Sequence, residues 1–295
     1  MSGNFSTKRD DGYHKTMKEK IKKTLKIIFL LAIIATIAMY WYDQYDYYFG
    51  GYPEYSTACP EYSNVAVINI HGDIVTYLTE PASSEESDST PPDSVSSEEI
   101  VAYIDEIEQS SNIEAVIVEI DSYGGSPVAS EEIADALRRM TKPTIAVIRE
   151  IAASGAYLVA SGADKIYASE MSNVGSIGIT MSYLDYSQQN RQEGITYQQL
   201  SSGKFKDTGS PDKVLTAEEK ELLMRDVKIL HEAFVKRVAE NRRLDVKQVE
   251  KLADGSTMLG MAAKENGLID EIGNIYDAQE WIREELGTEP EICIY

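Results

Sequence analysis

Short apolar runs rich in β-branched residues alternate with helical patterns through the middle of this chain of 295 residues. The runs are NVAVINIHGDI at 64–74, AVIVEID at 115–121, PTIAVI at 143–148 and DKIYAS at 164–169. Apolar spacing between them predicts helices, one of them over about 129–140. Strands that alternate with helices predict a mostly parallel sheet with helices on its faces. We expect the first strand to end at His71-Gly72.

The character of the chain changes at Thr216, after which the pattern is helical. Thr216-x-x-Glu219 forms a capping box, and helical spacing then continues to about Arg243. This long helix is expected to serve in packing and assembly. Further helices are predicted near 245–253, 259–266 and 276–286, and a closing EICIY is predicted to be a short strand. We therefore expect one α/β domain over 64–295 with a helical C-terminal part.

The N-terminal part has the pattern of a membrane signal. Residues 1–26 hold 8 Lys or Arg against 3 Asp or Glu, and the apolar run Ile27–Trp41 follows. A span needs about 20 residues, and 24–42 comes close to that length. Residues 1–23 are expected to be a cytoplasmic tail, 24–42 an uncleaved signal anchor and 43–63 a tyrosine-rich tether. The main domain would then be extracytoplasmic, on a single-pass protein of the cell membrane. A cleaved signal peptide is the alternative.

The charge beyond residue 26 is strongly acidic, with a balance of -26. Such a surface repels polyanions, so the sequence argues against a nucleic-acid partner. Part of the acidity lies in the Ser/Pro-rich stretch at 79–97, which predicts a mobile loop.

The chain has two cysteines, Cys59 and Cys293. Cys59 lies just before the first core strand and Cys293 lies in the terminal strand, so a disulfide at a sheet edge is expected. Two free thiols remain the alternative.

A serine surrounded by small residues is the main chemical feature of the chain. The stretch 148–179 contains neither His nor Cys and places Ser154 between alanines and a glycine. Ser154 should follow a strand and begin a helix, where N–H groups favour negative charge. A serine nucleophile needs a base. Of the histidines, His14 is on the cytoplasmic side and His231 is inside a charged helix, which leaves His71. A buried lysine with a lowered pKa is the other candidate.

Five motifs in a fixed order then carry a resemblance to a known family. They are DSYGGS, AASGAY, ADKIYAS, NVGSIGI and SSGKFKDTGSP. Together they resemble the prokaryotic signal peptide peptidase A family over about residues 64–285. The resemblance implies a Clp-protease/crotonase-type fold and a membrane-anchored serine–lysine peptidase. It also implies apolar peptide substrates, such as signal-peptide remnants.

The resemblance further implies roles for the residues that match the family's motifs. Ser154 would be the nucleophile and Lys206, rather than Lys204, the general base. Ser176 would hold the lysine amine. The expected oxyanion hole takes two backbone N–H groups, those of Gly125 and Gly155.

Two departures from the family pattern stand close to the site. Residues 121–125 read Asp-Ser-Tyr-Gly-Gly where the family usually has Asn-Ser-Pro-Gly-Gly, which predicts a less rigid turn. Ser154-Gly155-Ala156 replaces the family's Ser-Gly-Gly.

Two other functions stay open, a crotonase-like acyl-CoA enzyme and a non-catalytic membrane scaffold of the same fold. No metal, nucleotide or other cofactor is indicated, and no Walker loop is present.

The segment with the candidate base suggests an assembly. Lys206 lies in a Gly/Ser-rich polar stretch, 201–211, which has little apolar content to fix it on its own domain. Short-chain members of the resembled family form rings whose active sites combine residues from neighbouring subunits. We therefore expect a homo-oligomer with shared active sites, in which Lys206 reaches or is ordered by an adjacent subunit.

Overall fold

The computed structural model describes residues 25–26, 59–60, 62–78 and 94–295. The predicted tail at 1–23, all of the predicted anchor at 24–42 except 25–26, and most of the tether at 43–63 therefore lie outside the described residues. Within the part of the chain that is described, no helix combines the length and the hydropathy that a membrane crossing requires. Ala58–Tyr295 forms one compact unit.

The described residues contain nine strands joined in one sheet. The strands are β1 (Val65–Val75), β2 (Ser94–Ser96), β3 (Ala115–Gly125), β4 (Thr144–Ala153), β5 (Lys165–Ala168), β6 (Asn173–Gly175), β7 (Thr257–Leu259), β8 (Glu271–Ile272) and β9 (Ile292–Ile294). Their order is β2-β1-β3-β4-β5-β8, with β9 also on β1, β6 on β4 and β7 on β6. All pairs are parallel except β6 with β7.

Eight helices accompany these strands in the described part of the chain. They are α1 (Ser97–Gln109), α2 (Pro127–Arg139), α3 (Gly155–Ser161), α4 (Ser187–Gln192), α5 (Ala217–Arg242), α6 (Val246–Leu252), α7 (Gly260–Glu265) and α8 (Ile275–Leu286). The α/β class with a mostly parallel sheet is therefore confirmed, and the predicted C-terminal helices are present.

The sheet is covered by helices on both faces, which explains why its strands are apolar almost without interruption. Successive residues of a strand point to opposite faces. Val116 and Val118 of β3 belong to a core with α1, α2, α3 and α5. Ile117 between them packs in the second core, which includes Ala278 and Ile282 of α8. Each buried branched side chain stabilises this arrangement by about 1.5–3 kcal/mol.

The first strand is longer than expected. The register between β1 and β3 shifts between His71 and Asp73, and Gly72 adopts a φ of 72° there. Because glycine tolerates positive φ, the strand continues beyond this irregularity and stays paired as far as Val75. The expected end at His71-Gly72 was wrong.

The predicted loop at 79–97 is also shorter at its C-terminal end. Residues 79–93 lie outside the described part, whereas Ser94–Ser96 forms β2 in parallel with β1. Ser96 caps α1 by accepting a hydrogen bond from the Glu99 N–H at 3.2 Å. The last four residues of the predicted loop therefore belong to regular structure, because three of them form β2 and Ser97 begins α1.

A disulfide joins the two ends of the compact unit. Cys59 and Cys293 are bonded, with their Cα atoms 5.6 Å apart. Cys293 lies in β9 and pairs with Ala66 at the start of β1. The expected pairing is thus present, at the end of β1 opposite to Val75.

Candidate active site

The carboxyl ends of β3 and β4 place the candidate nucleophile. β4 ends at Ala153, and Ser154 is the N-cap of α3 with φ 53° and ψ −124°. A non-glycine residue with this backbone is strained and persists only where neighbours hold it. Here the Ser154 N–H donates to the Gly175 carbonyl at 2.8 Å, which ties the residue to β6. The side chain is half-buried, so its hydroxyl is accessible at a fixed point of the sheet edge.

Close backbone contacts explain the small residues around Ser154. A Cβ on Gly155 would lie 2.3 Å from Ser130 Oγ, and a Cβ on Gly124 would lie 2.7 Å from the Gly155 nitrogen. Contacts below 3.0 Å do not occur for real Cβ atoms. The β3 turn and the start of α3 are therefore in direct backbone contact, and side chains there would separate them.

This contact brings the two expected oxyanion-hole residues together. A Cβ on Gly155 would stand 3.4 Å from the Gly125 nitrogen. Gly125 itself has no room for a side chain, because its Cβ would lie 2.1 Å from the Ile74 carbonyl oxygen. Facing N–H groups beside a serine hydroxyl can stabilise a developing oxyanion.

A buried serine holds the turn that lacks the expected proline. Ser122 is 1% exposed; its Oγ donates to the Gly72 carbonyl at 2.6 Å and accepts from the Gly124 N–H at 3.0 Å. Tyr123, in the position of the proline, is 74% exposed. The Ser122 hydroxyl thus connects the irregularity of β1 to the glycine turn. Sequence reasoning missed this role, because a serine inside a strand has no distinctive pattern.

Ser176, the expected lysine-orienting residue, lies next to β6 with a φ of 51°. Its N–H donates to the Ser256 carbonyl at 2.9 Å and its Oγ to the Gly255 carbonyl at 3.0 Å. The residue follows Gly175, whose carbonyl fixes Ser154. Ser176 is therefore connected to the nucleophile through one residue, although its hydroxyl bonds to a backbone oxygen rather than to a lysine.

Three lysines in and just after the polar segment have different surroundings. Lys204 Nζ pairs with Glu218 at 2.7 Å. Lys213 Nζ pairs with Glu219 at 2.6 Å, which raises the pKa of Lys213 and keeps it charged. The exposed Lys206 side chain has no hydrogen bond or ion pair within the described residues, and no hydrogen bond joins it to Ser154. Because an amine held by a carboxylate is a poor base, Lys206 is the best suited of the three.

His71 is not placed to serve the nucleophile. Its Nε2 lies 3.6 Å from a carboxylate oxygen of Glu119, which also accepts from Arg149 at 2.8 Å. The side chain is 45% exposed and faces the neighbouring strand. A histidine base for Ser154 therefore has no support among the described residues.

An apolar cleft of about 110 Å³ opens at the nucleophile. Ser154, Gly125 and Gly155 form one wall, and α5 closes the other side. The apolar lining comes from three helices and the segment after β6, and consists of Pro127, Val128, Leu158, Ile179, Leu230, Ala233 and Phe234. Arg237 of α5 bonds to Glu131 at 2.6 Å at its edge. The predicted packing helix thus also lines the site, which its amphipathic pattern alone did not indicate.

A strained serine at the end of a parallel strand, two glycine backbones in close contact beside it and an apolar cleft define a serine hydrolase type of site. Comparison with known proteins agrees. The model of peptidase family S49 matches residues 136–289, just over half of the chain. The chain therefore belongs to peptidase family S49, and this membership indicates a serine peptidase.

Curated relatives carry related names. A candidate protease of Methanocaldococcus jannaschii is 36% identical over 195 residues, which cover 65% of this chain and 63% of the relative. A candidate signal peptide peptidase A of Enterococcus faecium is 36% identical over 182 residues, 61% of this chain and 53% of the relative. The chain thus spans about half to two thirds of the length of these relatives. Protease 4 of Haemophilus influenzae is 30% identical over 219 residues, 73% of this chain and 34% of the relative.

A solved structure also resembles the chain. A ClpP1 mutant from Listeria monocytogenes shows a TM-score of 0.47 at 16% identity, with 72% of this chain and 92% of that chain covered.

Proposed function

We propose that this chain is a membrane-anchored serine endopeptidase that uses a Ser154–Lys206 dyad to degrade apolar peptides. The observation that carries the proposal is the position of Ser154 at a strained strand–helix junction, beside the facing backbones of Gly125 and Gly155. Membership of family S49 supports the same reading.

The proposed reaction is acyl transfer to the serine and then to water. Neutral Lys206 takes the proton of the Ser154 hydroxyl as its oxygen attacks the peptide carbonyl. The N–H groups of Gly125 and Gly155 stabilise the oxyanion, typically by about 3–4 kcal/mol for one donor. The lysine ammonium then returns its proton to the leaving amine. Water, deprotonated by Lys206, hydrolyses the acyl-enzyme and restores both residues.

The proposed substrates are apolar peptides. The cleft beside Ser154 presents the side chains of Leu158, Phe234 and Val128, so an apolar residue next to the cut bond would be favoured. The name of the Enterococcus faecium relative suggests signal-peptide remnants as one source.

We further propose that the peptidase domain lies outside the cytoplasm, held by the apolar run at 24–42. The Cys59–Cys293 disulfide supports this location, because structural disulfides persist in oxidising compartments. The basic residues ahead of the run fit a cytoplasmic N-terminus.

A second copy of the chain is proposed to complete the site. The Lys206 side chain is exposed and has no partner within the described residues. Large apolar side chains are exposed in the same part of the chain, and Leu200 is 98% exposed. Contact with an adjacent subunit would cover them and desolvate the amine.

The test is peptide hydrolysis by the full chain in detergent. Ser154→Ala and Lys206→Ala should each reduce kcat by about 10³-fold or more, while Lys204→Ala, the matched control, keeps most activity. Because the amine must be neutral, kcat/KM should rise with pH in the wild type. Near-normal turnover of Lys206→Ala, or a flat profile from about pH 6 to 10, contradicts the dyad.

Mixing the two inactive variants tests the shared site. Chains with Ser154→Ala and chains with Lys206→Ala should together regain part of the activity, because some interfaces pair an intact serine with an intact lysine. A fully active monomer contradicts the shared site, as does failure to complement in oligomers shown to be mixed.

A further inference from the structure

A charged cluster lies behind the segment that contains Lys206. Lys213 Nζ lies 2.6 Å from Glu219 Oε1 and 3.2 Å from Asp207 Oδ1. The three side chains are largely shielded from solvent, with 18%, 4% and 16% of their surfaces exposed. The cation therefore joins the residue after Lys206 to the first turn of α5.

The α5 side of this cluster is fixed by helix capping. Glu219 Oε2 accepts from the Thr216 N–H and from Thr216 Oγ1, both at 2.9 Å. The same helix reaches the core, where Phe234 is 6% exposed and Val238 is fully buried. Glu219 is thereby held in place relative to the sheet, through α5.

On the other side of the cluster, Asp207 accepts hydrogen bonds from polar side chains that precede it in the same part of the chain. Asp207 accepts from the Tyr197 hydroxyl at 2.8 Å and from Gln199 Nε2 at 2.5 Å. The Lys206 N–H donates to the Gly203 carbonyl at 3.2 Å within the same turn. The segment has little apolar content, as expected, and charged and polar contacts of Asp207 connect it to α5.

The charge states suit a permanent structural link. The hydrogen bond from Lys213, followed by that from the Thr216 backbone, lowers the pKa of Glu219 to about 2. Glu219 in turn raises the pKa of Lys213. Both groups stay ionised across the pH range in which a lysine base would act.

We propose that Lys213 is a positioning residue for peptide hydrolysis, because it holds the turn of Lys206 on the N-terminus of α5 through Asp207 and Glu219. This inference rests on the proposed function, in which Lys206 is the base. A base must be kept within hydrogen-bonding reach of the serine, and small displacements cost much of the rate. Lys213 acts through the backbone of its segment and does not touch the substrate.

The first test compares three variants of the full chain. Lys213→Met should lower kcat by about 10- to 100-fold and leave KM nearly unchanged, because the cleft is intact. Lys213→Arg keeps the charge and both carboxylate contacts, so it should restore most of kcat. Lys204→Met removes an exposed pair of the same segment and should have little effect.

Hydrogen–deuterium exchange tests the link without any activity. In a Ser154→Ala background, Lys213→Met should speed amide exchange in 203–210 several-fold, with no change in β3 and β4. Glu219→Gln serves as a second variant, since glutamine keeps the capping box while the ion pair is lost. The exchange result stands even if Ser154 and Lys206 prove to be dispensable, so it separates this inference from the proposed function.

Two outcomes overturn the inference. One is a kcat within about twofold of wild type for Lys213→Met while Lys206→Ala is inactive. The other is unchanged exchange in 203–210 for both Lys213→Met and Glu219→Gln.

Discussion

The two halves of the candidate dyad are held by different kinds of force. Ser154 follows a central strand, its N–H donates to the Gly175 carbonyl, and a side chain at the adjacent Gly124 or Gly155 would clash with the atoms around it. Lys206 is exposed and lies on a segment anchored by charged side chains. The oxyanion site requires fixed atoms, so it is part of the sheet edge. The candidate base belongs to a segment whose position depends on ion pairs and, in the proposed assembly, on a second subunit.

Among changes to the residues that surround the dyad, the largest effect is expected from adding one methyl group on the nucleophile side. The Cβ of Gly125→Ala would meet the Ile74 carbonyl oxygen at 2.1 Å, so the backbone must move, and kcat should fall by about 100-fold or more. Gly203→Ala is the matched change on the base side, where a Cβ meets nothing within 4 Å. Similar kcat values for the two variants would show that the Ser154 side and the Lys206 side are equally sensitive to an added methyl group, which contradicts the comparison.

A smaller effect is expected from removing the hydroxyl that supports the glycine turn. Ser122→Ala leaves the Gly72 carbonyl and the Gly124 N–H without their partner, so kcat should fall about tenfold with KM nearly constant. Ser161→Ala is the control, because this buried hydroxyl donates to the Leu158 carbonyl at the far end of α3. Both variants should lose stability in thermal unfolding, but an equal loss of kcat would refute a specific role of Ser122.

The disulfide should affect stability and leave the chemistry unchanged. Replacing Cys59 and Cys293 by serine should lower the free energy of unfolding by about 2–5 kcal/mol, measured with denaturant. The bond lies at the end of β1 away from Ser154, so kcat should stay close to that of the wild type at low temperature. A large fall in kcat without unfolding would mean that the two ends of the sheet are coupled.

The smallest effect concerns acid stability on the base side. The folded pKa of Glu219, about 2, lies below its ordinary 4.5, so its contribution is present above about pH 4.5 and is lost as the pH falls towards 2. Glu219→Gln should therefore show a shallower fall of the melting temperature over that range. Identical acid profiles would indicate that the ion pair adds no stability.

Much of the fold was accessible from the sequence because parallel strands leave strong signals. The four apolar runs lie in β1, β3, β4 and β5, and a capping box marked the start of α5. The short strands β6, β7 and β8 were missed, since two or three residues carry no periodicity. The length of β1 was missed because a glycine irregularity interrupts its pattern without ending its pairing.

The site was predicted less completely, for a physical reason. Ser154 and its small neighbours are visible as a local pattern, as is the Gly-Gly turn. Ser122 and Gly72 are 50 positions apart and meet because β1 and β3 pair, while the six positions between Lys213 and Glu219 match no helical or strand spacing that would predict their ion pair. Such contacts cannot be recognised from the spacing of residues in the sequence, and they are seen only in the folded structure.

The Cys59–Cys293 bond also determines what happens when the chain is cut. The two cysteines are 234 positions apart and enclose nearly the whole described domain. A single cleavage anywhere between them produces two fragments that remain one covalent molecule until the bond is reduced. In the proposed location outside the cytoplasm, the domain would thus keep both pieces together after one nick, and a fragment would leave only after a second cut or after reduction of the bond.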